Sequence, residues 1–302
     1  MNCNVVGVGE VLWDLLLTGR QLGGAPANFA YHAHALGAHT KVITRVGNDD
    51  YGREIVRRFR EMGLADDAVQ IDGAAPTGTA KVELSGDGLA HFTIQENVAW
   101  DYLAATPDAI TATRATDAIC FGSLAQRCES SRATILTIVA AARVDALRVF
   151  DINLRQRFYS RGVIEKSLHL ANVLKLNDDE LPTLASMFSL TGSRQQQIDR
   201  LARQFSLNLI ALTRGANGSL LYQMSGDDAR WSDCSSRPVK VVDTVGAGDS
   251  FTAALVLGLL RKMDLDEING IANEVARYVC SRAGATPVLP VEFAERFSFT
   301  LH

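Results

Sequence analysis

Cysteine is scarce and carries no pattern: Cys3, Cys120, Cys128, Cys234 and Cys280 are scattered, odd in number, and never spaced as C-x-x-C. That excludes a disulfide framework and a cysteine zinc site, and it fits mostly buried thiols in a reducing cytoplasm. Positive charge is not in excess either. Thirty Lys and Arg against 34 Asp and Glu leave a formal net charge of -4, which argues against nucleic acid as a partner. The opening Met1-Asn-Cys-Asn-Val-Val-Gly has no basic region and is interrupted by Gly7 and Gly9, so no signal peptide is expected. The most apolar stretch, Phe251 to Leu260, is far short of the roughly 20 residues that a membrane span needs, so no membrane partner is expected. There is no internal repeat, no low-complexity segment and no G-x-x-x-x-G-K-[ST] motif. Gly7-x-Gly9 lacks a third glycine, since position 12 is Leu, so a dinucleotide oxidoreductase has little support.

What is present is ample material for a core: 47% of the 302 residues are hydrophobic and 21% charged. Short apolar runs alternate with helical stretches. The runs are Val5–Val8, Lys41–Val46, Ala118–Phe121, Leu147–Ile152, Val173–Leu176, Leu209–Thr213 and Ser219–Gln223; the helical stretches include Arg53–Met62, Arg132–Arg143, Glu180–Ser189 and Gln195–Phe205. That rhythm predicts an α/β fold with a doubly wound, mostly parallel sheet flanked by helices. The texture differs at Thr79–Leu84 and His91–Gln95, which alternate polar and apolar residues around Ser85-Gly-Asp-Gly88 and read as a hairpin. With Leu12–Leu22 it would form a small sheet outside the main layers, placed to act as a lid. The whole chain, 1–302, is thus expected to be a single domain with a discontinuous β-lid over about 12–22 and 77–97.

Polar residues cluster after successive strands. Asp151, Asn153 and Arg155 follow one; Asn177 to Glu180 the next; Thr213, Arg214, Gly215 and Gly218 the third; Asp243, Thr244 and Asp249 the last, where Val239–Val242 reads as a short strand. Ligands of open α/β sheets bind beyond the carboxyl ends of the strands, so these clusters mark an active site. In Asp243-Thr-Val-Gly-Ala-Gly-Asp249-Ser-Phe251 a glycine-bared backbone opens onto an apolar helix. Unpaired amides there would attract an anion, and Asp249 either caps the helix or acts as a base. Gly23-Gly24-Ala25-Pro26-Ala27-Asn28 leads into an alanine-rich helix, and Asn28 offers a donor and an acceptor suited to sugar hydroxyls. Asp14 is a lone carboxylate among Val, Leu and Trp, which calls for a polar partner or ligand. His32 and His34 point to different faces of a helix and make a poor metal pair.

Those two glycine motifs, with Asp151-x-Asn153-x-Arg155, Lys175-x-Asn177-x-x-Glu180 and Thr213-Arg-Gly215-x-x-Gly218 between them, resemble the ribokinase-like (PfkB) family of carbohydrate kinases over nearly the whole chain. The resemblance implies a ribokinase-like α/β body with a β-lid that transfers the ATP γ-phosphoryl group to a sugar hydroxyl. It implies Asp249 as general base, Gly246, Ala247 and Gly248 as anion hole, and Arg155 near the phosphoryl path. Asp14, Gly24 and Asn28 would hold the sugar. Thr213, Gly215, Gly218 and Asn273 would line the nucleotide side, while Asn177 and Glu180 would organise Mg²⁺, largely through water. Some relatives bind a monovalent cation such as K⁺ beside the anion hole, and Asp243 is the residue placed to take part. Gly-Gly-Ala-Pro-Ala-Asn is more like fructokinases than the Gly-Gly-Lys-Gly-Ala-Asn of ribokinases; 2-keto-3-deoxygluconate kinases share much of the pattern. A non-catalytic sugar or nucleotide sensor is the competing class, although a pure binder has no need of a base. Open edges of the lid strands predict a homodimer through the lid.

Overall fold

The computed structural model describes residues 3–16, 19–84, 90–226 and 228–298. In chain order its strands are β1 (Asn4–Val8), β2 (Leu12–Leu16), β3 (Gly19–Gly23), β4 (His39–Gly47), β5 (Val69–Asp72), β6 (Gly78–Leu84), β7 (Ala90–Ile94), β8 (Ala118–Phe121), β9 (Leu147–Asp151), β10 (Val173–Asn177), β11 (Leu209–Thr213), β12 (Ser219–Ser225) and β13 (Asp228–Cys234). The helices are α1 (Ala25–Ala35), α2 (Asp50–Glu61), α3 (Pro107–Arg114), α4 (Glu129–Ala140), α5 (Arg161–Leu170), α6 (Glu180–Phe188), α7 (Arg194–Phe205), α8 (Ala247–Leu260), α9 (Leu265–Cys280) and α10 (Val291–Glu295).

The large sheet has the order β13-β12-β11-β10-β9-β8-β1-β4-β5. It is parallel from β5 to β11, and β12 and β13 add antiparallel pairings at one edge. Alternate residues of each strand enter opposite cores, as a pleat of period two requires. Val5, Cys120, Val149, Val173 and Leu209 face α1, α8 and α9; Val6, Ile119, Phe150, Leu174 and Ile210 face the helices between β7 and β12. The apolar runs of the sequence are central strands buried on both faces, which is why they lack a polar side.

A second sheet, ordered β3-β2-β6-β7, stands apart from the first. Trp13 donates its indole N–H to the Tyr51 carbonyl at 3.1 Å, and Arg20 pairs with Glu54, so one end of this sheet is fastened to α2. At the other end Glu96, just beyond β7, pairs with Arg157. The expected turn Ser85–Gly88 lies outside the described residues.

One local expectation changes. Val239–Val242 is not a strand: the hairpin ends at Cys234, Pro238 has no N–H to give to a ladder, and Val241 and Val242 are exposed. The glycines Gly7 and Gly9 serve packing rather than a dinucleotide. A Cβ on Gly7 would stand 2.3 Å from the Pro26 carbonyl oxygen, so these glycines let α1 lie close on β1.

Candidate active site

Two helices of the fold open on a positive-φ glycine, and both border the site. The helices α2, α3, α5, α7 and α9 are each capped by an Asp, Thr or Ser side chain. By contrast, α1 and α8 start on Gly24 (φ 115°) and Gly246 (φ 78°) with no side-chain cap. First-turn amides of a helix have no intrahelical acceptor, so the opening of α8 is a concentration of donors and positive potential. Asp249 is not its cap. It is the third residue of α8 and partly buried in the first turn.

The two helices that open on glycine meet. Asn28 of α1 donates from Nδ2 to Oδ2 of Asp249 at 2.8 Å. A turn further on, buried His32 lies 2.9 Å through Nε2 from the Ala285 carbonyl oxygen. Burial lowers its pKa to about 4, so the ring is neutral and Nε2–H is the donor to that carbonyl. The same carbonyl fixes the opening of α8, since a Cβ on Gly246 would come within 2.2 Å of it. His32 is therefore a packing residue that pins the loop against which Gly246 turns.

Burial raises the pKa of Asp249 to about 6, with the Asp151 charge adding to it. The Asn28 hydrogen bond and the charges of Lys175 and Arg155 act in the opposite direction. A carboxylate so poised can take a proton at neutral pH and hold it more readily than an exposed one. Arg155 is exposed, its Nη1 on the neighbouring Leu154 carbonyl at 3.3 Å. It sits between Asn153 and Gln156, both in the left-handed region at φ 43° and 47°. Asp14 projects from β2 toward β3, where Gly23 leaves room: a Cβ there would stand 2.4 Å from Oδ2. Burial raises Asp14 to about 6, moderated by Arg155. Asp14, Asn28, Arg155 and Asp249 thus bear on one region at the carboxyl ends of β1 and β9.

Beyond it, on the β10–β11 side, Asn177 uses Oδ1 to accept the amides of Asp179 and Glu180, opening α6. Glu180 is buried, and its two oxygens accept the amides of Leu154 and Asn177 at 2.9 and 2.8 Å. It staples the Arg155 loop to the end of β10. Burial raises its pKa, with Lys175 opposing. Asp243 likewise accepts two amides, from Val245 and Gly284, each at 3.0 Å. Among the described residues no three His, Cys, Asp or Glu side chains converge as metal ligands.

Thr213 closes β11, and Gly215 follows in open space at φ 54°. Gly218 (φ 85°) is wedged so that a Cβ would meet the Cys234 carbonyl oxygen at 1.9 Å. Asn273 donates to Ser219 Oγ at 2.6 Å and, with Cys234, Ser236 and Arg237, borders a cavity of about 200 Å³.

Three residues with no role assigned from sequence belong to this region. Glu10, 2% exposed at the end of β1, is pushed up to about 7 by burial, and its Oε2 has no hydrogen-bond partner. Lys175 and Asp151 form a buried ion pair at 3.1 Å. The first lacks any motif; the pair stands inside two quoted motifs, but only the register of β9 and β10 brings it together.

The family model for pfkB family carbohydrate kinases matches residues 18–292. A fructokinase of Klebsiella pneumoniae is 30% identical over 91% of this chain and 91% of its own. An uncharacterized sugar kinase of Pyrococcus horikoshii, solved in complex with ATP, superposes with a TM-score of 0.80 at 26% identity, covering 97% of this chain and all of the other. The ATP-bound fructokinase of Xylella fastidiosa shares the fold at a TM-score of 0.83 and 21% identity, over 98% of both chains.

Proposed function

Because the chain belongs to the pfkB family of carbohydrate kinases, we propose that it transfers the γ-phosphoryl group of ATP to a sugar hydroxyl, with fructose as the favoured acceptor. The observation that carries the reading is Asp249: a partly buried carboxylate in the first turn of an uncapped helix, hydrogen-bonded to Asn28. Phosphoryl transfer needs a base for the acceptor hydroxyl and donors for the charge on the moving group, and this turn supplies both.

Asp249 removes the hydroxyl proton as the acceptor oxygen bonds to phosphorus. The bond from phosphorus to the bridging oxygen of ADP breaks, and its electrons leave with ADP. The amides of Gly246, Ala247 and Gly248 receive the charge on the phosphoryl oxygens, and Arg155 adds a fixed positive charge at the mouth. Asp14, Gly24 and Asn28 hold the sugar under the small sheet, which serves as a lid. Thr213, Gly215, Gly218 and Asn273 border the nucleotide. Mg²⁺ neutralises the triphosphate when bound; the protein's part, through Asn177 and Glu180, is to hold its water shell and the two loops around it. Asp243, whose carboxylate shapes the turn before the anion hole, is assigned to a monovalent cation such as K⁺. Buried Cys3 and Cys120 suit a cytoplasmic enzyme.

Fructose is favoured by the Gly-Gly-Ala-Pro-Ala-Asn motif and by relatives named fructokinase. Comparing kcat/KM on fructose, ribose and 2-keto-3-deoxygluconate tests it; a preference for either of the latter two moves the acceptor assignment. Asp249→Ala is expected to lower kcat by on the order of 10²–10⁴-fold. Unchanged kcat in that variant overturns the base, and ATP binding without ADP release on any sugar would turn the reading into a sensor.

A further inference from the structure

Directly under the first turn of α8 lies a charged group that the reaction as described does not use. Lys175 of β10 is 7% exposed and Asp151 of β9 is 4% exposed. Nζ of Lys175 is 3.1 Å from Oδ1 of Asp151, its register partner in the sheet. The other carboxylate oxygen, Oδ2, lies 2.9 Å from Thr252 Oγ1 of α8, whose hydroxyl is also 3.0 Å from the Gly248 carbonyl oxygen. A Cβ on Gly248 would stand 3.0 Å from Nζ of Lys175, so the ammonium sits against the glycine of the anion-binding turn. One carboxylate and one ammonium therefore join two strand ends to the turn that carries Asp249.

Burying such a pair takes two ions out of water at a cost of about several kcal/mol each, and apolar replacements of equal volume are often no less stable. A fold-holding role alone is thus a weak reason for its presence here. Its position offers another. The groups facing Asp249 come from every element around it: Asn28 from α1, Glu10 from the end of β1, Cys120 from β8, Asp151 from β9, Arg155 from the following loop and Lys175 from β10. On α6, Glu180 in turn faces Lys175. Helix α9 meets α8 through Ile268 at Gly258, about two and a half turns away from Asp249. Among these Lys175 is the buried cation, and Asp151 is the carboxylate it pairs with.

We propose that Asp151 and Lys175 are positioning residues for phosphoryl transfer: the pair grips the first turn of α8 and balances the charge beside the base. The proposal rests on Asp249 being that base. Burial disfavours the charge on Lys175, but Asp151, Glu180 and Asp249 outweigh it, and its pKa is raised, so the ammonium persists. Lys175→Met then leaves Asp151 uncompensated and raises the pKa of Asp249; Asp151→Asn removes a like charge and lowers it.

The test is kcat and KM against pH for Asp151→Asn, Lys175→Met and Thr252→Val, with ATP, Mg²⁺ and the best sugar. The acid limb of kcat is expected to move down in pH for Asp151→Asn and up for Lys175→Met. Each loses about 10- to 100-fold in kcat, since a misplacement near 1 Å can cost that much. KM for ATP should stay near the wild-type value, and Thr252→Val should lose kcat without moving the limb. Limbs that stay in place, or shift in the same direction, with kcat retained, overturn the proposal. If the single variants do not fold, Asp151→Asn/Lys175→Met removes both charges together: a wild-type limb with reduced kcat supports the pair, and wild-type kcat overturns it. Asp249→Asn run alongside separates the two failures. If it keeps wild-type kcat the base itself is wrong, whereas an inactive Asp249→Asn with wild-type pair variants removes only this proposal.

Discussion

Asn28 and Asp249 are 221 positions apart in the chain, yet the Asn28 amide donates to the Asp249 carboxylate at 2.8 Å. The bond favours the charged form of Asp249 against the burial that opposes it. On the proposed mechanism activity requires that form, so kcat/KM is expected to fall as pH drops through about 6 and to be flat just above it. Asn28→Ala removes the donor, raises the pKa of Asp249, and moves the acid limb to higher pH. A pH–rate profile on the best sugar reads both; a limb that stays fixed in Asn28→Ala separates this contact from the base.

Gly246→Ala is expected to damage the proposed anion hole without touching a charge. The residue sits at φ 78°, with the Ala285 carbonyl oxygen only 2.2 Å from any added Cβ. Strain of this kind costs about 1–3 kcal/mol, and displacing one anion-hole donor costs on the order of 10²–10³ in kcat. A lowered Tm with kcat reduced well beyond the loss of folded protein is the expected result.

Glu10 predicts a pH-dependent stability. Its pKa rises from an ordinary 4.5 to about 7 in the folded chain, because burial disfavours the ionised form. Stability from the neutral form is complete below about 4.5 and is lost as pH climbs through 7, a loss on the order of 3 kcal/mol. Glu10→Gln keeps a neutral side chain throughout. Denaturant melts should therefore show the variant gaining on the wild type between pH 5 and pH 8; an equal difference at both would show that Glu10 is charged in both.

The small sheet ends in two strands, β3 and β7, with no strand beyond either in the described residues. Such edges tend to be covered, so we expect a homodimer through this sheet. Light scattering at working concentration should return twice 32.7 kDa; a single-chain mass would refute it.

Much of the body was legible in the sequence because its strands are buried on both faces. Ala118–Phe121 and Leu209–Thr213 have the bounds that their apolar runs predict. The exposed β13, whose pattern is mostly polar, carried no such signal, and neither did β5. The candidate site was legible where its geometry is local to a turn, as in the glycine-opened start of α8 from Gly246 to Asp249. It was not legible where chemistry depends on pairing across strands. Lys175 within an apolar run gives no hint of its partner until β9 and β10 are set in register. Glu180 was expected at a metal's water shell, and sequence could not foresee that both its oxygens already hold backbone amides.

The order of the chain also divides labour. Asp14, Gly24, Asn28 and the whole of the small sheet come from the first 94 residues, whereas Asn177, Thr213, Gly218 and Asn273 come from the second half. On the proposed reading, what is phosphorylated is recognised by one contiguous stretch and what supplies the phosphate by another, and α8 is where they meet. Acceptor preference is then transplantable: a hybrid that exchanges only the leading segment with a relative of different sugar taste would inherit the new diet and keep the old fuel.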